Sequence, residues 1–85
     1  MMAEEFFNDP ITVTTSIDEA GHISPKSLIW QGTQYILTAT GRQWAADDGR
    51  HVLVEAANGD RFEIQLSRKD LLWYLRRAWR GLLAV

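Results

Sequence analysis

Residues 26–37 read KSLIWQGTQYIL and indicate a β-hairpin, because β-branched and aromatic residues flank a central glycine. Gly32-Thr33 suits a two-residue turn that requires glycine at its first central position. The register that follows pairs Trp30 with Tyr35, Leu28 with Leu37 and, on the opposite face, Ile29 with Ile36. Since apolar side chains point both ways, we expect this ribbon to be covered on both sides.

Strands are also predicted before and after this hairpin. Residues 11–16 alternate β-branched and polar positions, and Gly41 predicts a bulge or bend in the strand that continues towards Trp44. Asp47-Asp48-Gly49 is typical of a turn, after which residues 51–56 form the next strand. The sequence therefore predicts a succession of hairpins.

A second hairpin joins residues 51–56 to residues 61–66. A two-residue turn at Asn58-Gly59 would place Val54 and Phe62 on opposite faces, which burial disfavours. A three-residue loop with Gly59 in the left-handed conformation pairs Val54 with Phe62 and restores one apolar face. We therefore expect the three-residue form, with Glu63 and Gln65 facing outwards.

The hydrophobic period changes after Ser67. Ser67 and Asp70 resemble a capping box, and strong helix formers follow. A helix would place Leu71, Leu75, Ala78, Trp79 and Leu82 on one side and Lys69, Arg76, Arg77 and Arg80 on the other. A strand is the alternative, because Trp73 and Leu75 also alternate with Tyr74 and Arg76.

These elements predict an α+β fold that is mainly β. We expect an antiparallel sheet of about five strands, strongly twisted or partly closed, with a C-terminal amphipathic helix. Residues 1–9 are predicted to be a flexible acidic N-terminal segment, and residues 10–85 a single small domain.

Composition narrows the functional classes. The chain of 85 residues has no cysteine, so neither disulfides nor thiolate metal sites are expected. Glu4 and Glu5 stand where a secretory signal needs basic residues, and no apolar run is long enough to span a membrane, which predicts a cytoplasmic protein. Residues 1–67 hold four cationic and ten acidic side chains, whereas residues 68–85 hold five cationic and one acidic.

The sequence contains no recognisable catalytic motif. His22 and His51 are interpreted as surface histidines, and Asp47 and Asp48 as a solvated turn rather than a metal site. The glycines stand singly, so no phosphate-binding loop is present. We expect a protein that is not an enzyme and has no cofactor and no metal.

Several of these positions together resemble a family of small uncharacterised bacterial domains. The matching features are Pro10-Ile11-Thr12-Val13, a W-x-G-x-x-Y hairpin at residues 30–35, Trp44, Asn58-Gly59, and a closing W-x-L-x-R segment at residues 73–77. Similar segments occur at the tails of proteins related to Y-family DNA polymerases, so the resemblance implies a link to DNA repair. In that family the closing W-x-L-x-R segment forms a strand, so the resemblance implies a strand at residues 73–77.

The C-terminal segment is the one candidate interaction surface. Aromatic and basic residues interleave there, as they do in protein interfaces and in platforms for single-stranded nucleic acid. We expect a non-catalytic protein-interaction module that binds an unknown protein partner or itself. The alternative is a domain that binds single-stranded nucleic acid. An exposed apolar patch at Leu82 and Leu83 would favour the protein partner over nucleic acid. Binding to a membrane is not expected. The candidate surface comprises Arg68, Lys69, Trp73, Tyr74, Arg76, Arg77 and Arg80.

Overall fold

Every strand pairs with the next one in the chain, and the last strand pairs with the first, so that the sheet closes into a six-stranded antiparallel barrel. The structure, a computed structural model, describes residues 2–81. The strands are β1 (Met2–Ile17), β2 (Ile23–Trp30), β3 (Thr33–Ala46), β4 (Gly49–Ala56), β5 (Arg61–Ser67) and β6 (Trp73–Gly81).

Strand β1 is long enough to pair with two neighbouring strands, β6 and β2. Its first half, which includes the segment predicted to be flexible, pairs with β6 from Met2 opposite Gly81 to Ile11 opposite Trp73. Its second half pairs with β2, ending with Ile17 opposite Ile23. The pairing with β6 is interrupted by a bulge between Phe6 and Asp9, and the change of partner follows at Ile11 and Thr12.

The core fills the barrel with buried side chains from β2 to β6, and Phe7, Ile11 and Val13 of β1 pack against it. Its largest fully buried side chains are those of Phe62, Leu28, Ile64, Leu75 and Val52. Trp30 lies in this core, with its ring centroid 4.9 Å from that of Phe7 in β1. The Trp30 indole N–H donates to Asp9 Oδ2 over 2.9 Å, which gives the buried donor the partner that it needs.

The first hairpin forms, but its turn lies one residue earlier in the chain than predicted, so the predicted register is wrong. The turn residues are Gln31 and Gly32, both with positive φ, and they place Trp30 opposite Thr33 and Leu28 opposite Tyr35. Both registers put the same side chains inside, so hydrophobic alternation does not distinguish them. The ribbon is covered on one side only: Ile29 and Ile36 are 44% and 54% exposed on the outer face.

The second hairpin confirms its prediction. Val54 pairs with Phe62, and Gly59 has a φ of 93° within the loop of residues 57–59. The Ala56 N–H donates to the Asp60 carbonyl and closes that loop. Burial on one face and turn chemistry agree here, and together they determine the register.

The predicted C-terminal helix, and with it the α+β class and the count of about five strands, is wrong. The described residues form an all-β barrel of six strands and contain no helix, and hence none that could cross a membrane. Ser67 and Asp70 cap a turn instead, where Lys69 N–H donates to Ser67 Oγ and Leu72 N–H to Asp70 Oδ1. The predictions for Leu82 and Leu83 lie outside the described residues.

A bulge explains why β6 resembles a helix in sequence. Ile64 pairs with Leu75 and Glu63 pairs with Arg77, so that Arg76 is an extra residue. The two fully buried side chains of β6, Leu75 and Ala78, are therefore three residues apart, which is a helical spacing. Backbone pairing with β1 and β5 makes residues 73–81 a strand in spite of this spacing.

We expect Gly49→Ala to destabilise the fold far more than Gly59→Ala. Both glycines have positive φ, but a Cβ at Gly49 would lie 2.1 Å from the Leu66 carbonyl oxygen, whereas a Cβ at Gly59 would meet no atom within 4 Å. Strain alone costs about 1–2 kcal/mol, and the backbone clash should raise the loss at Gly49 above about 3 kcal/mol. Urea unfolding measures both, and equal losses would contradict this account.

We expect Gln31→Asn to stabilise the first hairpin. Gln31 has a φ of 52°, a conformation that asparagine adopts at lower cost, and Asn-Gly is the favoured pair for this turn. The gain should be about 0.5–1 kcal/mol in urea unfolding. Gln34→Asn, in the extended strand β3, is the matched control and should give no gain. A gain at both positions would argue against the turn as its cause.

Candidate functional site

The predicted interaction surface is divided between the two faces of β6 and the turn before it. Arg68 and Lys69 are exposed in that turn, while Trp73 packs against the core. Tyr74 lies on the outer face, where its hydroxyl donates to Asp70 Oδ2 over 2.6 Å. This bond raises the pKa of Tyr74 and, with the Leu72 N–H, lowers the pKa of Asp70. A strand alternates its side chains, so these residues do not form one continuous surface.

Carboxylates hold the arginines of β6. Arg77 donates from Nε to Glu63 Oε1 over 2.6 Å and from a terminal nitrogen to Glu4 Oε2 over 2.9 Å. The bond to Glu63 is the main reason that the pKa of Arg77 is raised. Arg80 donates from Nε and from a terminal nitrogen to one oxygen, Glu5 Oε1.

Arg76 is held less strongly than the other two arginines. It donates to Gln65 Oε1 over 2.9 Å and lies 3.5 Å from Asp48. The arginines of β6 are thus largely neutralised by the acidic body of the same molecule, whereas Arg68 and Lys69 form no ion pair within the described residues.

A polar network that the sequence did not predict lies on the outer face of β4 and β5. His51 Nδ1 lies 2.7 Å from Glu63 Oε2, and its Nε2 lies 2.8 Å from Asp48 Oδ1. The interpretation of His51 as a surface residue is wrong, because its side chain is only 8% exposed, whereas exposed His22 agrees with its prediction. Trp44 covers His51, the two rings stacking with centroids 5.2 Å apart.

The two carboxylates engage both ring nitrogens of His51. Glu63 Oε2 lies at Nδ1 and Asp48 Oδ1 lies at Nε2, so neither nitrogen is free for a further partner. Glu63 also accepts from Arg77 Nε through its other carboxylate oxygen. The buried Glu63 side chain therefore links His51 of β4 to Arg77 of β6.

Strand β3 pairs only irregularly with β4 over residues 38–42, which we call the β3 arch. Two bulges interrupt the pairing of β3 with β4, one between Leu37 and Ala39 and one between Thr40 and Gln43. The second confirms the bulge predicted from Gly41. All five arch residues are exposed, although alternate residues of a barrel strand normally face the core.

The arch residues do not pair with β2. The last pair between the two strands is Ser27 with Ile36. They meet again where the Gln43 side-chain amide bonds to both the N–H and the carbonyl of Ile23. Between these points β3 advances from residue 36 to 43 while β2 covers only 27 to 23. In the described structure, the edge of the arch that faces β2 therefore has no strand partner.

A groove lies beside the arch on the outer face of the barrel. Its volume is about 390 Å³, which is within the range of ligand sites. Gly41 lies in its wall, where an added Cβ would make ordinary van der Waals contact with Leu53. We call it the β3–β4 groove, and its lining includes Ala39, Gly41, Leu53, Glu55, Arg61 and Trp79.

No protein family, curated protein or solved structure that was compared with the chain matches it.

We expect Asp48→Asn to change stability in a pH-dependent way. The hydrogen bond from His51 is the main reason that the pKa of Asp48 lies below its ordinary value of 3.8. A carboxyl group whose pKa is lower in the folded state contributes stability above its unfolded pKa and loses it as pH falls through its folded pKa. The difference in unfolding free energy between the parent and the variant should reach its maximum near about pH 5 and become smaller below pH 3.8.

Denaturant unfolding at a series of acidic pH values measures this difference. Asp47→Asn, in the same turn, is the matched control and should show a smaller pH-dependent difference. A difference for Asp48→Asn that stays constant throughout the acid range would refute the bond to His51 as the source.

Proposed function

We propose that this domain is a non-catalytic interaction module that binds an extended segment of a partner protein. The segment would add as a strand along the free edge of the β3 arch. The observation that carries the proposal is the run of five exposed residues in β3 whose edge towards β2 is unpaired. Exposed backbone N–H and C=O groups of a strand are a template for pairing with another chain.

The β3–β4 groove supports the proposal because it could accept side chains of the bound segment. In strand addition the main-chain hydrogen bonds supply affinity, and pockets for alternate side chains supply specificity. Leu53, Ala39 and the indole of Trp79 are apolar surfaces in the groove next to the arch. A peptide on the arch could place alternate side chains there.

The contacts of the arginines favour this surface over the basic C-terminal segment. Arg76, Arg77 and Arg80 would have to leave carboxylate or amide partners before meeting phosphates or a partner protein. Trp44 stacks with His51, and Trp79 lies under Arg77 at 4.8 Å, so both rings already have a neighbour on the π system. Base stacking on single-stranded nucleic acid needs open aromatic faces.

The non-catalytic part of the proposal is supported by His51. A general base needs a ring nitrogen that is free to reach a substrate, and both nitrogens of His51 are engaged by carboxylates. We place the module in the cytoplasm, because small secreted domains are usually rich in disulfides and this chain has no cysteine.

The proposal predicts that extended peptides select this edge. Short peptides from a displayed random library, enriched on the intact chain, should slow amide exchange at residues 38–42 and shift the NMR signals of the groove. Ala39→Trp fills the groove and should weaken their binding by about tenfold or more. Thr14→Trp, at an exposed strand position in β1, is the matched control and should leave binding unchanged.

Unfolding midpoints establish that both tryptophan variants are folded. Enriched peptides that instead protect β6 and lose affinity with Arg76→Ala would refute the arch as the binding edge. Failure to enrich any peptide would refute the function.

A further inference from the structure

Three cations lie along the opening between β2 and the β3 arch. Lys26 directly precedes Ser27, the last β2 residue that pairs with β3, and Arg42 is the last residue of the arch. Within residues 2–81 neither takes part in an ion pair, in contrast to Arg77 and Arg80. Arg42 instead lies over the Trp44 ring, 5.2 Å from its centroid. Both ends of the open edge thus carry an uncompensated positive charge.

Arg50 adds the third charge at the end of the opening that Gln43 closes. Its terminal nitrogen makes only long bonds of 3.4 Å, to the Gly21 carbonyl and to Gln43 Oε1. Its Nε is buried and has no hydrogen-bond partner in the described structure. A guanidinium group whose donors are incompletely used is stabilised by a nearby negative charge.

The carboxylates near the opening do not cancel these charges. Glu55 lies opposite Ala39 and forms its ion pair with Arg61, on the side away from β2. Asp18, in the loop between β1 and β2, accepts hydrogen bonds from Ala20 and His22. The chain as a whole has a net charge of −2, so any attraction for an anion at the opening is local.

We infer that the partner segment is an extended acidic peptide in which carboxylate side chains alternate with apolar ones. This inference rests on the proposed function. Side chains of an added strand point alternately to its two faces. Apolar side chains of the segment meet the lining of the groove, at Leu53 and Ala39, and its carboxylates reach Lys26 and Arg42 at the two ends of the open edge.

Three short synthetic peptides of equal length test the inference. They alternate valine with glutamate, lysine or serine, and their ends are blocked. Fluorescence anisotropy at low and moderate salt should show the glutamate peptide binding about tenfold more tightly than the lysine peptide, since two exposed charge contacts supply about that ratio. The preference should shrink as salt rises.

A double variant and a matched control locate the effect. Lys26→Gln/Arg42→Gln should abolish the preference for glutamate. Arg68→Gln/Lys69→Gln removes the same charge from the exposed turn before β6 and should retain it.

Each other result overturns the inference. Equal binding of the three peptides that is still lost in Ala39→Trp would overturn the acidic preference and leave strand addition standing. No binding by any of them, together with a library that enriches no peptide, would overturn both. Tighter binding of an oligothymidylate, lost in Lys26→Gln/Arg42→Gln, would assign the opening to single-stranded nucleic acid instead.

Discussion

The pairing of β1 with β6 is the constraint on which the rest of this structure depends. It joins Met2 to Gly81 at one end and Ile11 to Trp73 at the other, and so closes the sheet. Closure leaves the first and last strands without free edges along this ladder and encloses Phe62 and Leu75 in a common core. A small chain without disulfides obtains its buried area in this way.

Closure also explains the uneven charge of the chain. The acidic N-terminal residues Glu4 and Glu5 lie beside Arg77 and Arg80 because β1 and β6 are neighbours. Glu63 completes the arrangement from β5 and extends it to His51. The arginines of β6 therefore balance acidic side chains of the same molecule. Within the described residues, the cations without an ion pair are Arg68 and Lys69 in the turn before β6, and Lys26, Arg42 and Arg50 around the opening beside the β3 arch.

The arch follows from a mismatch of strand lengths. Strand β3 has more residues than either neighbour between its fixed contacts, so the two bulges and the outward path of residues 38–42 absorb the excess. Gln43 limits the opening by bonding to the Ile23 backbone with its side-chain amide, in place of a strand. The same mismatch produces both the free edge and the groove beside it.

The sequence by itself determined the local features: the two hairpins, the bulge at Gly41 and the pairing of Val54 with Phe62. Each depends on neighbouring residues, through turn chemistry and the two-residue period of strands. It also drew attention to the arginines and aromatic residues of β6, but not to their partners. Arg77 and Glu4 are 73 positions apart, and no local period reports such a contact.

Only the tertiary structure decided the turn at Gln31-Gly32, the strand character of β6 and the burial of His51. Two registers of the first hairpin bury the same side chains, so alternation could not choose between them. The bulge at Arg76 gives β6 a helical spacing, which ladder bonds to β1 and β5 override. His51 alternates like a surface residue and is buried because Trp44, the neighbouring Asp48 and, across the β4–β5 ladder, Glu63 cover it.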